Sequence, residues 1–224
     1  FLKILNRMSL GSDYLNKAIS KYNLDDPWDC VELFENKIAS FCGSKYAIST
    51  DCCTHAIFLC LRYVNKTNTK ISLPFNTYIS LPSVINMAGY SFKFVDHKWQ
   101  DSYFLDPLNI IDSATCLKKN MYKDGTLTCL SFHFRKILPI GRGGMILTNS
   151  ENEYKWLTSK RYDGRNMRVK YDEDIFKNSG YHMYMTPEQS AYGIHLFDNE
   201  QFNQIELPNY KGYKSLEKFD YLFE

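Results

Sequence analysis

The chain has 224 residues, 44% of them hydrophobic, which is enough for one sizeable core. Its 27 basic and 25 acidic residues are interspersed and leave a net charge of +2, so the composition shows no electrostatic footprint for nucleic acid or an anionic membrane. Because no apolar run approaches the roughly 20 residues of a membrane-spanning helix and no secretory leader is apparent, we expect a cytoplasmic protein without nucleic-acid or membrane partners.

Strand-like and helix-like segments alternate along the chain, which is typical of βαβ units and predicts a single α/β domain with a largely parallel sheet. Helical spacing of apolar residues begins at Val31, and Gly43 closes that helix. A second helix is predicted from Thr54, and a third over about 82–88. Strands are predicted at 46–49, 71–73, 92–95, 109–111, 127–132 and 145–147.

Capping motifs mark two later helices. Ser150 and Glu153 have the spacing of a capping box. Thr186 and Gln189 have the same spacing, and Pro187 occupies the first helical position between them. Helices are therefore predicted to begin just after Ser150 and Thr186.

Neither the cysteines nor the histidines show a metal-binding pattern. The seven cysteines are odd in number and form no CxxC pair, so we interpret them as reduced core residues. The five histidines lack the spacing of metal ligands, and no metal site is predicted. The glycine turn at 141–144 precedes a predicted strand, unlike the phosphate loops of dinucleotide-binding and P-loop proteins.

Polar side chains lie where predicted strands end, which is the edge at which open parallel sheets build active sites. The turn from Asp51 to Thr54 opens a helix, so its amides and hydroxyl could bind phosphate, or it could be an ordinary N-cap. Asp112 ends the strand at 109–111, where a carboxylate either meets a cation or caps the following segment. Tyr78 follows another strand and either covers a planar ligand or belongs to the core.

A lysine ends the motif Ser131-Phe132-His133-Phe134-Arg135-Lys136, which follows a buried strand. In such a place the Lys136 amine must find an anion or lose its charge. A partly neutral amine can form a Schiff base with an aldehyde such as pyridoxal phosphate, although a solvated turn is the alternative. The charged stretch 161–165 could face a nucleotide phosphate or form a solvated helix end.

The order of these segments resembles the DegT/StrS family of pyridoxal-phosphate-dependent nucleotide-sugar aminotransferases. The most specific match is Ser131-Phe132-His133-x-x-Lys136 with Gly143-Gly144. The other matching segments are 34–35, 39–47, 52–54, 73–78, 111–114 and 180–191. The resemblance implies an aspartate-aminotransferase-like fold (PLP fold type I), with a mostly parallel sheet and helices on both faces.

The resemblance also implies an organisation of the chain. Residues 1–30 would form an N-terminal segment, 31–205 the cofactor-binding core, and 206–224 a terminal helix in place of most of the family's C-terminal domain. Only 16 positions separate Asp96 from Asp112, where the family inserts a further strand and helix, so part of the sheet is expected to be missing.

Three residues inherit roles at the cofactor ring from this resemblance. Lys136 would carry pyridoxal phosphate as a Schiff base, Asp112 would contact the pyridine nitrogen, and Tyr78 would stack on the ring. Because the dehydratase branch of the family has histidine where Lys136 stands, the lysine favours amino transfer over dehydration.

Five further residues inherit positions around the cofactor. Ser131, Thr54 and the turn at Cys53, where the family has glycine, would hold the phosphate. Thr115 stands where the family has glutamine. His182 stands where the family has an asparagine that reaches the phosphate of the neighbouring subunit, so the resemblance implies a homodimer with shared active sites.

The implied activity is transfer of an amino group from an amino acid donor, glutamate in most of the family, to a keto-sugar carried on a nucleotide. The pathway would be amino-sugar or surface-polysaccharide biosynthesis. The shortened sheet and missing small domain leave an alternative, in which the chain is a non-catalytic relic that binds the cofactor or another protein.

Overall fold

The computed structural model describes residues 13–203 and 209–223. The helices are α1 (13–22), α2 (Asp29–Cys42), α3 (Cys53–Val64), α4 (Ser80–Met87), α5 (Glu151–Arg161) and α6 (Pro187–Asp198). The strands are β1 (Tyr46–Thr50), β2 (Lys70–Pro74), β3 (Ser91–Val95), β4 (Tyr103–Phe104), β5 (Ile110–Ser113), β6 (Leu127–Ser131) and β7 (Gly144–Thr148). The strands and helices predicted between residues 31 and 198 are therefore present, with small shifts at their ends.

The main sheet has five strands in the order β1-β7-β6-β5-β4. Strands β5 and β6 are parallel, whereas β7 is antiparallel to both β1 and β6, and β4 is antiparallel to β5. The sheet is mixed, so the expectation of a mostly parallel sheet needs correction. The physical reason is the connection from β6 to β7: it contains no crossover helix, and a strand that returns directly pairs antiparallel.

The sheet is short on the side where the sequence predicted a missing part. Strand β4 has only two residues, and β2 and β3 form a separate parallel pair. The N–H of Ser72 in β2 donates to the carbonyl of Asp106 at 2.8 Å, which ties that pair to the segment after β4. The neighbour of β5 on this side is therefore the short antiparallel strand β4.

Helices cover both faces of the main sheet. Ile48, Cys129 and Ile146 join the apolar cluster built around α3 and α4. Their neighbours Met145 and Leu147 in β7 join the cluster built around α2 and α6. Since successive residues of a strand point to opposite faces, the two clusters lie on opposite sides of one sheet, as the fold class requires.

The two capping motifs differ in the structure. Thr186 forms the complete box, accepting from the N–H of Gln189 while the Gln189 side chain accepts from the N–H of Thr186. Ser150 accepts from the N–H of Glu153, but the Glu153 carboxylate accepts from the hydroxyl of Thr148 instead of closing the box. Both helices begin where the sequence predicted.

The segment 209–223 is not the terminal helix that we expected. It forms two 3-10 helices, Tyr210–Gly212 and Glu217–Phe223. Its backbone N–H groups bond elsewhere: Tyr210 donates to the carbonyl of Trp99 at 3.1 Å and Leu216 to that of Phe75 at 2.8 Å. Donors used in this way are not available for an α-helical ladder. Among the described residues, no helix is both long and apolar enough to cross a membrane.

Arg161 is buried, so it neither faces a phosphate nor ends a solvated helix as its charged surroundings suggested. Its guanidinium is 2% exposed and forms an ion pair with Glu35 of α2. The same nitrogen also donates to the carbonyl and hydroxyl oxygens of Ser49 at 2.7 and 2.9 Å. This network ties α5 to α2 and β1.

Replacement of Arg161 by leucine should lower the free energy of unfolding by about 3–5 kcal/mol, because it leaves the Glu35 carboxylate buried without its cation. Urea denaturation of the two proteins measures this difference. Arg168→Leu is the matched control, since Arg168 pairs with Asp29 and Glu32 at the surface and its loss should cost about 1 kcal/mol or less. Equal losses in the two variants would contradict the assigned role.

Candidate active site

A cavity of about 950 Å³ opens at the carboxyl ends of β1, β5 and β6. Seven of the eight predicted site residues line it: Cys53, Thr54, Tyr78, Asp112, Thr115, Ser131 and Lys136. The sheet explains this convergence, because β1, β5 and β6 run in the same direction and their ends meet at one edge.

Lys136 lies in the turn that follows β6. Its backbone N–H donates to the carbonyl of His133 at 2.8 Å, which fixes the turn, and its Nζ donates to the Tyr213 hydroxyl at 3.3 Å. Burial lowers the pKa of Lys136, while the negative charge of Asp112 acts in the opposite direction. The amine is therefore neutral more often than that of a surface lysine, as nucleophilic attack on a carbonyl requires.

Asp112 is the carboxylate of the cavity and is 8% exposed. Burial raises its pKa, whereas hydrogen bonds from the Ala114 N–H and the Tyr103 hydroxyl, together with the charge of Lys136, lower it. These bonds measure 3.0 Å to Oδ1 and 2.8 Å to Oδ2. The Tyr103 hydroxyl also bonds to that of Thr77, so Asp112 ends a chain of buried polar groups.

The start of α3 forms an anion-binding turn. The first amides of a helix have no acceptor within it, so those of Cys53 and Thr54 are free to bind a phosphate. The Thr54 hydroxyl lies 2.8 Å from that of Ser80. A Cβ on Gly144 would approach the Cys52 carbonyl carbon to 2.4 Å, so this glycine lets β7 pack directly under the turn.

Cysteine at position 53 leaves the turn intact. An amide is present whatever the side chain, so the departure from the family's glycine removes no donor. Cys53 is 8% exposed, and burial raises the pKa of its thiol. Cys53 therefore adds an apolar, protonated group to the cavity wall.

The remaining predicted residues differ in their surroundings. Tyr78 lines the cavity with its side chain 62% exposed, which leaves the ring accessible to a planar ligand. Thr115 also lines the cavity, but its hydroxyl already donates to the carbonyl of Asp101 at 2.7 Å. His182 is outside the cavity of its own chain, exposed, and bonded to Asp163 at 2.9 Å. Its role toward a partner subunit stays a prediction.

Sequence reasoning missed three aromatic residues that line the same cavity: Trp99, Tyr103 and Tyr213. The Trp99 ring lies between the other two, with centroid distances of 5.1 Å to Tyr103 and 5.5 Å to Tyr213. No strand or helix pattern in the sequence marks these positions. They come from the short segment around β4 and from the C-terminal segment, whose paths depend on tertiary contacts.

The structure also brings together Asp51, Cys52 and His55, whose ligand atoms lie within 4.8 Å of one another. The carboxylate of Asp51 bonds to His55 at 2.6 Å and to Arg142 at 2.7 Å. Hydrogen bonding to Asp51 raises the pKa of His55 to about 10, so the ring is protonated at neutral pH. A metal would have to displace that proton and the Arg142 contact, so the cluster is an ion-pair network at the edge of the phosphate turn.

The cavity contains an amine with a lowered pKa, a buried carboxylate, an accessible aromatic ring, and hydroxyls beside the free amides of a helix. These groups match the aldehyde, pyridine nitrogen, ring face and phosphate of pyridoxal phosphate. With a mixed α/β sheet covered on both faces, they define a protein with the type I fold of pyridoxal-phosphate enzymes.

The chain belongs to the DegT/DnrJ/EryC1/StrS aminotransferase family, whose sequence profile matches residues 12–119 and 111–215. Its structure is similar to that of AtS13 from Actinomadura melliaura, with a TM-score of 0.70 and 16% identity over 85% of this chain and 65% of that one. It is also similar to PseC of Helicobacter pylori, an aminotransferase involved in pseudoaminic acid biosynthesis. That match has a TM-score of 0.66 and 16% identity over 85% of this chain and 63% of that one.

Spr1654 from Streptococcus pneumoniae in its PMP form gives a TM-score of 0.63 and 16% identity over 76% of this chain and 58% of that one. The same protein is also solved in a PLP form. Membership of the family, together with these PMP and PLP forms, indicates that the cofactor is pyridoxal phosphate. The chain thus spans about two thirds or less of these three solved proteins. No curated protein sequence matches it.

Proposed function

We propose that the chain is a pyridoxal-phosphate-dependent aminotransferase. It would move an amino group from an amino acid donor, which we take to be glutamate, to a keto-sugar carried on a nucleotide. The observation that carries the proposal is the presence of Lys136 and Asp112 in the lining of one cavity, where the charge of each acts on the pKa of the other. Membership of an aminotransferase family supports the same reaction class.

The residues of the cavity have distinct binding roles in this proposal. Lys136 would hold the aldehyde carbon and Asp112 the pyridine nitrogen, while Tyr78 would cover the ring. Thr54, Ser131 and the amides at Cys53 would hold the phosphate, and Thr115 lines the same cavity. The bound cofactor supplies an electron sink for the carbon that loses a proton.

Lys136 would also move the proton. Its free Nζ would take a proton from the α-carbon of the donor and hold it until it is returned to the reacting molecule. A lowered pKa suits this role, because the amine must be neutral to act as a base near pH 7. Asp112, which Tyr103 and Ala114 hold by hydrogen bonds, would keep the pyridine nitrogen protonated.

We further propose a homodimer with shared active sites. His182 belongs to the segment that resembles the family's intersubunit block, and its exposed ring lies outside the cavity of its own chain. The arrangement supports a role toward a neighbouring subunit, with Asp163 orienting the imidazole.

The test begins with purified protein and pyridoxal phosphate, which should give a visible absorbance band. Addition of L-glutamate should bleach the band and release one equivalent of 2-oxoglutarate, and a nucleotide-linked keto-sugar from a panel should restore it. A colourless protein would overturn the cofactor assignment. A coloured protein that glutamate never bleaches would support the alternative of a non-catalytic cofactor-binding module, which the two-residue strand β4 favours.

A further inference from the structure

The described segment 209–216 lies along the mouth of the cavity and is fixed there by backbone contacts. Tyr210 and Leu216 donate to the carbonyls of Trp99 and Phe75, and the Asn76 side chain donates to the carbonyl of Tyr213 at 2.7 Å. Ser215 forms a bridge with Asn76. Contacts on both sides of Tyr213 therefore fix its backbone relative to the cavity.

The side chain of Tyr213 points from this segment to the reactive amine. Its hydroxyl accepts from Lys136 Nζ at 3.3 Å, and its ring packs against Trp99, which in turn packs against Tyr103. Tyr103 bonds to Asp112. Tyr213, Trp99 and Tyr103 therefore form an aromatic row. Its first member contacts Lys136 and its last contacts Asp112.

A tyrosine hydroxyl is suited to this position because it stays protonated. Burial, followed by the charge of Asp112, raises the pKa of Tyr213 to about 12. The hydroxyl can therefore accept a hydrogen bond from the ammonium form of Lys136 and donate one to the neutral amine. It serves both states that a proton-carrying lysine passes through.

We propose that Tyr213 is a positioning residue for Lys136, and that segment 209–216 completes the active site by carrying it. The catalytic role of this contact rests on the proposed function. The contact between Tyr213 and Lys136 is itself present in the cofactor-free protein. The groups that face the amine are Asp112 from β5, Cys53 from α3, Tyr213, and His133 from the turn of Lys136 itself.

The experiment is a titration of Lys136 without cofactor. Lysines are dimethylated reductively with ¹³C, and the Lys136 resonance is assigned by its absence in Lys136→Arg. The charge-assisted bond that the hydroxyl accepts from the ammonium is stronger than the bond it donates to the neutral amine, so Tyr213→Phe should lower the pKa of Lys136 by about 0.5–1 unit. Tyr210→Phe, on the same segment, is the control and should leave the titration unchanged.

A Tyr213→Phe titration within about 0.2 units of wild type would overturn the inference. If that variant does not fold, as judged by circular dichroism, Asn76→Ala replaces it, since Asn76 holds the Tyr213 carbonyl. A downward shift in this variant supports the inference, and an unchanged pKa overturns it. The titration needs no cofactor, so a colourless wild type would count against the proposed function and not against this contact.

With cofactor, a second readout follows. The rate at which the visible band forms should rise with pH and reach a plateau. In Tyr213→Phe the plateau should fall several-fold, because the amine is less well oriented, and the midpoint should move to lower pH. An unchanged plateau together with an unchanged midpoint would contradict a positioning role.

Discussion

Replacement of Lys136 by alanine should abolish both the visible band that the wild type develops with pyridoxal phosphate and its turnover. In the proposed function the amine binds the aldehyde and is also the base that moves the proton, so the variant would lose both roles at once. General acid–base catalysis alone accounts for about 10²–10⁴ in rate, so turnover should fall at least by that factor. Absorbance spectra and an assay of 2-oxoglutarate formation measure the two effects.

Lys214→Ala is the matched control. Lys214 lines the same cavity, but its Nζ lies over the Phe219 ring at 4.4 Å. The control variant should keep the band. If Lys136→Ala also kept a stable band after gel filtration, another amine would hold the cofactor and the assignment of Lys136 would be wrong.

The residues at strand ends could be predicted from the sequence because local patterns place them. Apolar runs before Asp112 and Lys136 mark two buried strands, and strands of one sheet bring their ends to one edge. That rule places Asp112 and the turn of Lys136 near the same edge of the sheet. The turn at Cys53 is predictable in the same way, since a strand and a helix meet there.

The direction of β7 could not be predicted in this way. All five residues of β7 are buried, and this pattern suits a parallel or an antiparallel strand equally well. The glycine turn at 141–144 permits a direct return from β6, but only the pairing of β7 with both β1 and β6 decides the direction. Sheet order is a non-local property, and local spacing carries no information about it.

The aromatic row could not be predicted either. Tyr103 belongs to a strand of two residues, too short for any periodic signal, and Tyr213 to a segment held by backbone bonds to distant loops. Both residues nevertheless contact the two ionisable groups that the sequence did identify. Lys136 and Asp112 can be predicted from strand ends, whereas the contacts that Tyr103 and Tyr213 make with them depend on tertiary packing.

Asp112→Asn should separate the effect of the buried carboxylate on stability from its effect on turnover. The substitution should preserve the local bonds: Oδ1 still accepts from the Ala114 N–H, and the new Nδ2 can donate to the Tyr103 hydroxyl, which then donates to Thr77. An uncharged amide cannot keep the pyridine nitrogen protonated. Turnover should therefore fall by about 10²–10³, the usual cost of one electrostatic group at a reacting centre.

The same variant should be more stable than the wild type at neutral pH in the cofactor-free form. Because burial raises the pKa of Asp112 in the folded protein, the fold favours the protonated carboxyl. Its stability contribution is fully present below the unfolded pKa near 3.8 and is lost as the pH rises through the folded pKa. Asparagine removes this dependence.

Thermal unfolding of both cofactor-free proteins across pH 3–8 tests the prediction. The two unfolding temperatures should be closest at the acid end. As the pH rises above about 4, the unfolding temperature of the asparagine variant should increase relative to that of the wild type. A constant difference across that range would mean that the Asp112 carboxylate is not destabilising in the fold. Lower stability at every pH would mean that the Tyr103 bond requires the carboxylate. If the gain in stability and the loss of turnover occur together, the fold keeps a carboxylate that weakens it because the proposed chemistry needs its charge.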